Sequence, residues 1–237
     1  MSKNTVYHLQ MPVTEEQVRA LRVGDVVYLA GTVFTARDQA HEHLIELGKK
    51  GKKAPFDLRG GAIWHCGPVA RKDKHDVWEV TSIGPTTSYR LTNETPYILK
   101  NYGVRFIVGK GGMGQPTVKA MKECGAAFLA ATGGCAIIHA ENVKKVNQVY
   151  WEKEFGLPEA VWELTVKDFG AMIVAIDSTG ATLYEAVMDQ AKKKMAACYK
   201  KIGVKDPARA MIHWPPVLSG TKDSNILEGM TIVSGGA

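Results

Sequence analysis

Neither a C-x-x-C pair nor histidine at zinc-finger spacing accompanies the four cysteines, Cys66, Cys124, Cys135 and Cys198, which are scattered along the 237 residues. Local zinc and dithiol motifs are therefore missing, and the simplest reading is four reduced, mostly buried thiols in a reducing compartment. Distant cysteines can still converge in space, so the absence disfavours a metal site without excluding one. No apolar run is long enough to span a bilayer, and the N-terminus lacks a signal-peptide core, so a cytoplasmic location is expected. The glycine-rich stretch Val108-Gly109-Lys110-Gly111-Gly112-Met113-Gly114 is not a P-loop, because Gly111 follows Lys110 and no Ser or Thr stands ready to hold Mg²⁺. It does not form G-x-G-x-x-G either, and nucleotide binding is discounted. There is no internal repeat and no low-complexity segment.

What the sequence does contain is an ordinary globular composition, with enough length for one elaborated domain or two small ones. Its formal net charge of +6 raises the question of nucleic acid. The cations fall in short runs, such as Lys49-Lys50 and Lys192 to Lys194, without interleaved aromatics or a recognisable binding motif. They sit towards the ends of expected helices, where positive charge favours the dipole, so solvated faces explain them better. A general positive field would also draw an anionic substrate inward.

The hydrophobic pattern alternates between strand and helix. Thr14 can cap a short helix from Glu15 to Leu21, after which Asp25–Phe34 reads as a strand and Ala36–Leu47 as a helix stopped by Gly48. Strands are expected at Gly61–Cys66 and Val77–Ile83, with a charged hairpin over Val69–Asp76. Thr95 and Pro96 open a helix to Tyr102 that Gly103 ends. A buried strand at Phe106–Val108 precedes a helix from Pro116 to Cys124. Small apolar segments at Phe128–Ala131 and Cys135–Ile138 read as strands, and Glu141–Glu154 as a helix. Val161–Val166 and Ala171–Ile176 read as two further strands. A long helix over Thr182–Ile202 carries a core-facing stripe of Leu183, Val187, Met188, Ala191 and Met195. The residues divide into a lead-in and docking segment, 1–24, a main domain, 25–203, and an extended tail, 204–237. Mixed strands and helices of this kind make an α/β or α+β architecture.

Three segments carry candidate chemistry. Ile83-Gly84-Pro85-Thr86-Thr87-Ser88-Tyr89-Arg90 and the glycine-rich stretch around Lys110 each follow a β-branched run and then present glycine, small hydroxyls and one cation. Such a turn offers backbone N–H groups to an anion. Arg90 adds a planar fork suited to a carboxylate, and Lys110 adds a point charge. In the third segment, Thr35-Ala36-Arg37-Asp38, the spacing predicts that Thr35 caps a helix with Asp38 in its first turn. Arg37 would then meet the positive end of the dipole, which hints at a binding role, while His41 on the same face is read as a satisfied, half-buried histidine.

Taken in order, Met11-Pro12-Val13-Thr14, the GT-x-x-TARD-x-AH segment from Gly31 to His41, GPTTSYR, GKGGMG and Phe155-Gly156-Leu157-Pro158-Glu159-Ala160 resemble the β subunit, or equivalent C-terminal domain, of the class I iron–sulfur hydro-lyases. These are the class I fumarases and L(+)-tartrate dehydratases. The resemblance ends near Ser178. It implies a three-layer β/β/α swivelling domain of the aconitase kind and reversible hydration of a small dicarboxylate. It also implies a [4Fe–4S] cluster held by cysteines of a partner alpha subunit rather than by this chain, which supplies no metal ligand. By motif, Arg37, Arg90 and Lys110 would bind substrate oxygens and Thr86 would stand by the proton to be moved. This sequence departs from the pattern at Tyr89 and Leu91. The alternative reading is a noncatalytic anion-binding or assembly module built on the same loops.

Overall fold

In the computed structural model, residues 4–202 are described, and the chain divides into two units, Met1–Asp189 and Gln190–Ala237. The expected tail, 204–237, lies outside the described residues. The first unit opens with strand β1 (Val6–Gln10), helix α1 (Glu15–Ala20), β2 (Val26–Thr35), α2 (Asp38–Lys49) and β3 (Ala62–Trp64). A hairpin of β4 (Val69–Lys72) and β5 (Trp78–Ser82) follows, then a 3-10 turn over Ser88–Leu91. Next come α3 (Thr95–Tyr102), β6 (Phe106–Gly109), α4 (Gln115–Cys124), β7 (Ala127–Ala130) and α5 (Ala136–Glu141). The remaining elements are β8 (Val143–Tyr150), α6 (Glu152–Phe155), β9 (Val161–Ile176) and α7 (Leu183–Lys201), the last running on into the second unit. Among the described residues no helix is long and apolar enough to cross a membrane.

Strands β2, β3, β6 and β7 are parallel neighbours, and β9 pairs antiparallel with both β7 and β2, which joins the two ends of that run into a ring. Alternation of side chains then creates two cores. Val33, Trp64, Val108, Leu129 and Val174 point to one side, where Trp162, Leu164 and Phe169 complete a single buried cluster. Their sequence neighbours Phe34, Ile63, Ile107, Phe128 and Ala175 point to the other, against Leu44 of α2, Ile98 and Leu99 of α3 and Met121 of α4. Period-two patterning with apolar residues on both faces is what a strand covered on both sides requires. Each fully buried Leu, Ile or Phe contributes roughly 1.5–3 kcal/mol.

Local signals account for many boundaries. Thr14 and Gln17 form a reciprocal capping box at α1. Gly103 ends α3 as expected, although Thr95 is the first helical residue and Glu94 occupies the cap position. The charged hairpin is present, its turn held by the Asp73 carboxylate, which accepts from the backbone N–H groups of His75 and Val77.

Other expectations are corrected. Glu141–Glu154 is chiefly the strand β8, whose pairing with β9 shifts register between Val143 and Lys145 and again between Val146 and Gln148. Each extra residue turns a spacing of two into three, so Val143, Val146 and Val149 imitate a helical stripe. Cys135–Ile138 opens the helix α5. The two strands expected near the end are one strand, β9, continuous through Asp168 at φ 53°. On α7, Val187, Met188, Ala191 and Met195 are exposed rather than core-facing, and of the expected stripe Leu183 alone packs against the helix-side core. The lead-in contributes β1, which lies parallel to β2 from Val6 beside Val26 onward.

Candidate active site

Because β2, β3, β6 and β7 run parallel, the segments that follow them emerge at one end of the ring. Two of these segments, after β2 and β6, carry Arg37 and Lys110, and a third segment, after the β4–β5 hairpin, carries Thr86 and Arg90. Each is fixed in a different way.

Thr35, the last residue of β2, does not cap α2. Its buried hydroxyl accepts from the Trp162 N–H at 3.0 Å and faces the Ala160 carbonyl at 3.4 Å, stitching β2 to the start of β9. Arg37 is the residue at the cap position of α2 and provides no capping side chain. The dipole penalty for a cation there is offset by Glu159: one carboxylate oxygen lies 3.2 Å from Arg37 Nε, and the other accepts from the Gln39 N–H at 3.1 Å. Sequence reasoning missed this partner. Glu159 lies within the Phe155–Ala160 stretch that carries part of the family resemblance, and that was its only signal.

The turn after β5 is anchored on the ends of β3 and β6. Thr86 donates its N–H to the His65 carbonyl at 2.6 Å, Lys110 donates its N–H to the Thr86 carbonyl at 3.2 Å, and Ser88 donates its N–H to the Lys110 carbonyl at 3.1 Å. Thr86 and Lys110 are thus joined through their main chains. Half-buried, the Thr86 side chain makes no hydrogen bond among the described residues. Arg90, two residues beyond Ser88, reaches the neighbouring segment instead: its Nη2 donates to Asp38 Oδ2 at 2.6 Å. Asp38 adjoins Arg37, so the Arg90 side chain ends one residue from the first cation. Both members of that ion pair are 42% exposed, which leaves the rest of the guanidinium open to a ligand. Exposed Lys110 makes no ion pair among the described residues, and its stem passes close to Gly133 in the segment after β7.

Behind these loops lie two histidines that are fully buried, not half-buried as expected for His41. His41 Nδ1 lies 2.8 Å from the Arg37 carbonyl, His65 Nδ1 lies 3.0 Å from Ser88 Oγ, and the two rings meet edge to face at 5.0 Å. Burial pulls the pKa of His41 down to about 4. His65 is driven well below the usual imidazole value, by burial first and then by His41 and Arg90. Neutral rings therefore back the cationic loops.

The cysteines do not assemble with them. Cys66 is buried, with its thiol pushed well up by burial and pulled the other way by Arg37. Among the described residues there is no group of three or more His, Cys, Asp and Glu side chains placed to hold a metal. A cavity of about 340 Å³, lined by Phe34, Phe56, Arg59, Tyr150 and Glu163 among others, contains none of the loop residues. The candidate site is an open, cationic face. Leu91 is buried in the helix-side core, whereas Tyr89 is exposed beside Arg90, so of the two departures from the family pattern only Tyr89 lies on that face.

Residues 2–187 match the family described as Fumarase C-terminus. The chain is 46% identical over 182 residues to the Methanocaldococcus jannaschii protein named "Putative L(+)-tartrate dehydratase subunit beta", covering 77% of this chain and 93% of that one. It is 42% identical over 175 residues to the L(+)-tartrate dehydratase subunit beta of Escherichia coli (strain K12), covering 74% and 85% of the two chains. It is also 46% identical over 198 residues to the Geobacillus stearothermophilus protein named "Putative fumarate hydratase class I", but there the match covers 82% of this chain and only 37% of the other.

Proposed function

The chain belongs to the fumarase C-terminal family, and from that premise we propose that it is the beta subunit of a hydro-lyase acting on a small dicarboxylate, with fumarate/malate the first substrate to test and tartrate the second. A cluster-bearing alpha subunit is its partner in this reading, and the main unit corresponds to the three-layer swivelling domain of the aconitase kind. The observation that carries the reading is the tying together of three cation-bearing segments at one end of the strand ring, through the Arg90–Asp38 pair and the backbone bonds among Thr86, Ser88 and Lys110.

The chemistry assigned to this chain is seating and orientation. Arg90, with one N–H engaged by Asp38, presents its remaining donors to one carboxylate. Lys110 supplies a mobile point charge, and Arg37, steadied by Glu159, closes the cationic arc. Holding a dianion in one pose lowers the entropic part of the barrier. Thr86 places a hydroxyl at the proton to be moved. A hydroxyl is a very poor base, so it needs an ionised carboxylate, which in this reading comes from the alpha subunit. The [4Fe–4S] cluster also belongs to that subunit.

Anaerobic preparation of the chain with and without its alpha subunit, followed by malate and tartrate dehydration, tests the assignment. The complex should turn over and the lone chain should not. Activity in the lone chain would overturn the division of labour. A complex inert towards both substrates, with saturable binding of dicarboxylate or phosphate by the lone chain, would instead favour a noncatalytic anion-binding module. In an active complex, Arg90→Ala should cut turnover at least about a hundredfold, the scale for removing one preorganised donor. Arg90→Lys keeps a charge for Asp38 but loses the fork, and should recover only part of it.

A further inference from the structure

We propose that His65 and Ser88 form a positioning latch that sets the turn carrying Thr86 and Arg90 against the end of β6, an assignment that rests on the reading of those residues given above. Ser88 is wholly buried, and its Oγ lies 3.0 Å from His65 Nδ1. The hydroxyl also lies against Gly109, the last residue of β6, where a Cβ would fall 1.9 Å from Ser88 Oγ and 3.5 Å from His65 Cβ. The missing side chain at Gly109 is the seat of the hydroxyl.

His65 grips the turn twice. Its carbonyl accepts the Thr86 N–H at 2.6 Å, and its ring holds Ser88, two residues before Arg90. The Ser88 N–H completes the seat on the Lys110 carbonyl at 3.1 Å. The ring also packs on His41, whose Nδ1 meets the Arg37 carbonyl and must carry the proton, since a carbonyl can only accept. The pair of imidazoles thus links the Arg37 carbonyl to the Ser88 hydroxyl, and Ser88 reaches the Lys110 carbonyl through its own N–H. Neither ring touches the open face, because both are fully buried. They act by placing other groups.

The test compares Ser88→Ala, His65→Leu and His65→Asn in the full chain, alone and in complex with its alpha subunit. The Asn amide can reach Ser88 from about the position of Nδ1, whereas Leu cannot. In the complex, Ser88→Ala and His65→Leu should lower kcat/KM about tenfold to a hundredfold, the scale of a misplacement near 1 Å, with KM raised. His65→Asn should recover most of that loss. In the lone chain, amide hydrogen exchange at Thr86 and Lys110 should quicken about tenfold in Ser88→Ala, while the Leu129 amide in β7 keeps its wild-type rate. Gly109→Ala should mimic Ser88→Ala in both assays. Wild-type exchange at Thr86 and Lys110 in Ser88→Ala would overturn the latch, as would an Asn variant no better than Leu. If the wild-type complex fails to turn over any dicarboxylate, the proposed function falls, and the exchange rates alone decide the latch.

Discussion

Mild acid should destabilise this protein through His41. The imidazole is fully buried, its Nδ1 is committed to the Arg37 carbonyl, and its Nε2 has no partner among the described residues. Burial holds its pKa at about 4 in the fold, against about 6.5 in an unfolded chain. Between those values the unfolded chain binds a proton that the native protein refuses. Stability is therefore intact above about pH 6.5, declines as the pH falls, and has lost the whole contribution below about pH 4. The difference is worth about 3 kcal/mol, of which about 2 kcal/mol has gone by about pH 5. That is a large share of the 5–15 kcal/mol typical of a domain. His65 shifts in the same direction and deepens the loss. Urea unfolding of the full chain at a series of pH values measures it, with His41→Leu as the comparison. Leucine fills a similar volume and takes up no proton. It also leaves the Arg37 carbonyl its other donor, the main-chain N–H of residue 41 at 2.9 Å. The variant should flatten the pH dependence by about 2 kcal/mol at about pH 5. Identical pH slopes for the two proteins, or a wild type equally stable at pH 7 and about pH 5, would refute the reasoning.

Two further expectations concern single contacts. Thr35→Val keeps the shape but leaves the Trp162 N–H without its buried acceptor, and should cost about 1–3 kcal/mol in urea unfolding at neutral pH. An unchanged midpoint would remove the hydroxyl's role in stitching β2 to β9. Lys110→Ala in an active complex should raise KM for the dicarboxylate about tenfold or more with little change in unfolding midpoint, since the ammonium is exposed and makes no ion pair among the described residues. Wild-type KM would take Lys110 out of the clamp.

Much of the sheet could be read directly. Phe106–Val108, between Arg105 and Gly109, and Phe128–Ala131, between Gly125 and Gly133, are short apolar runs of strand length, whereas the similar run Cys135–Ile138 opens a helix. Val143–Tyr150 could not be read so, because its bulges exist only in partnership with β9, and no local signal marks where an extra residue will be tolerated. The site shows the same division. Arg37, Arg90 and Lys110 stand out as cations set among glycine and small hydroxyls. Asp38, Glu159 and His65 become interesting only once distant segments meet: Asp38 lies 52 residues from Arg90, and His65 lies 23 from Ser88. Thr35 misled for the opposite reason. Its capping spacing was sound locally, but a buried main-chain N–H on β9 claimed the hydroxyl first.

The strand ring has a bearing on how the molecule is made. β2 leaves the ribosome well before its partner β9, and Val26 finds Ile173 only after all the residues between them have been made. Contacts this far apart in sequence make folding slow. Until they form, β2 and β7 each expose a bare edge on which nascent chains can aggregate. A polypeptide cut short before β9 would thus lose more than one strand, since nothing would then hold the first and last parallel strands in a common frame.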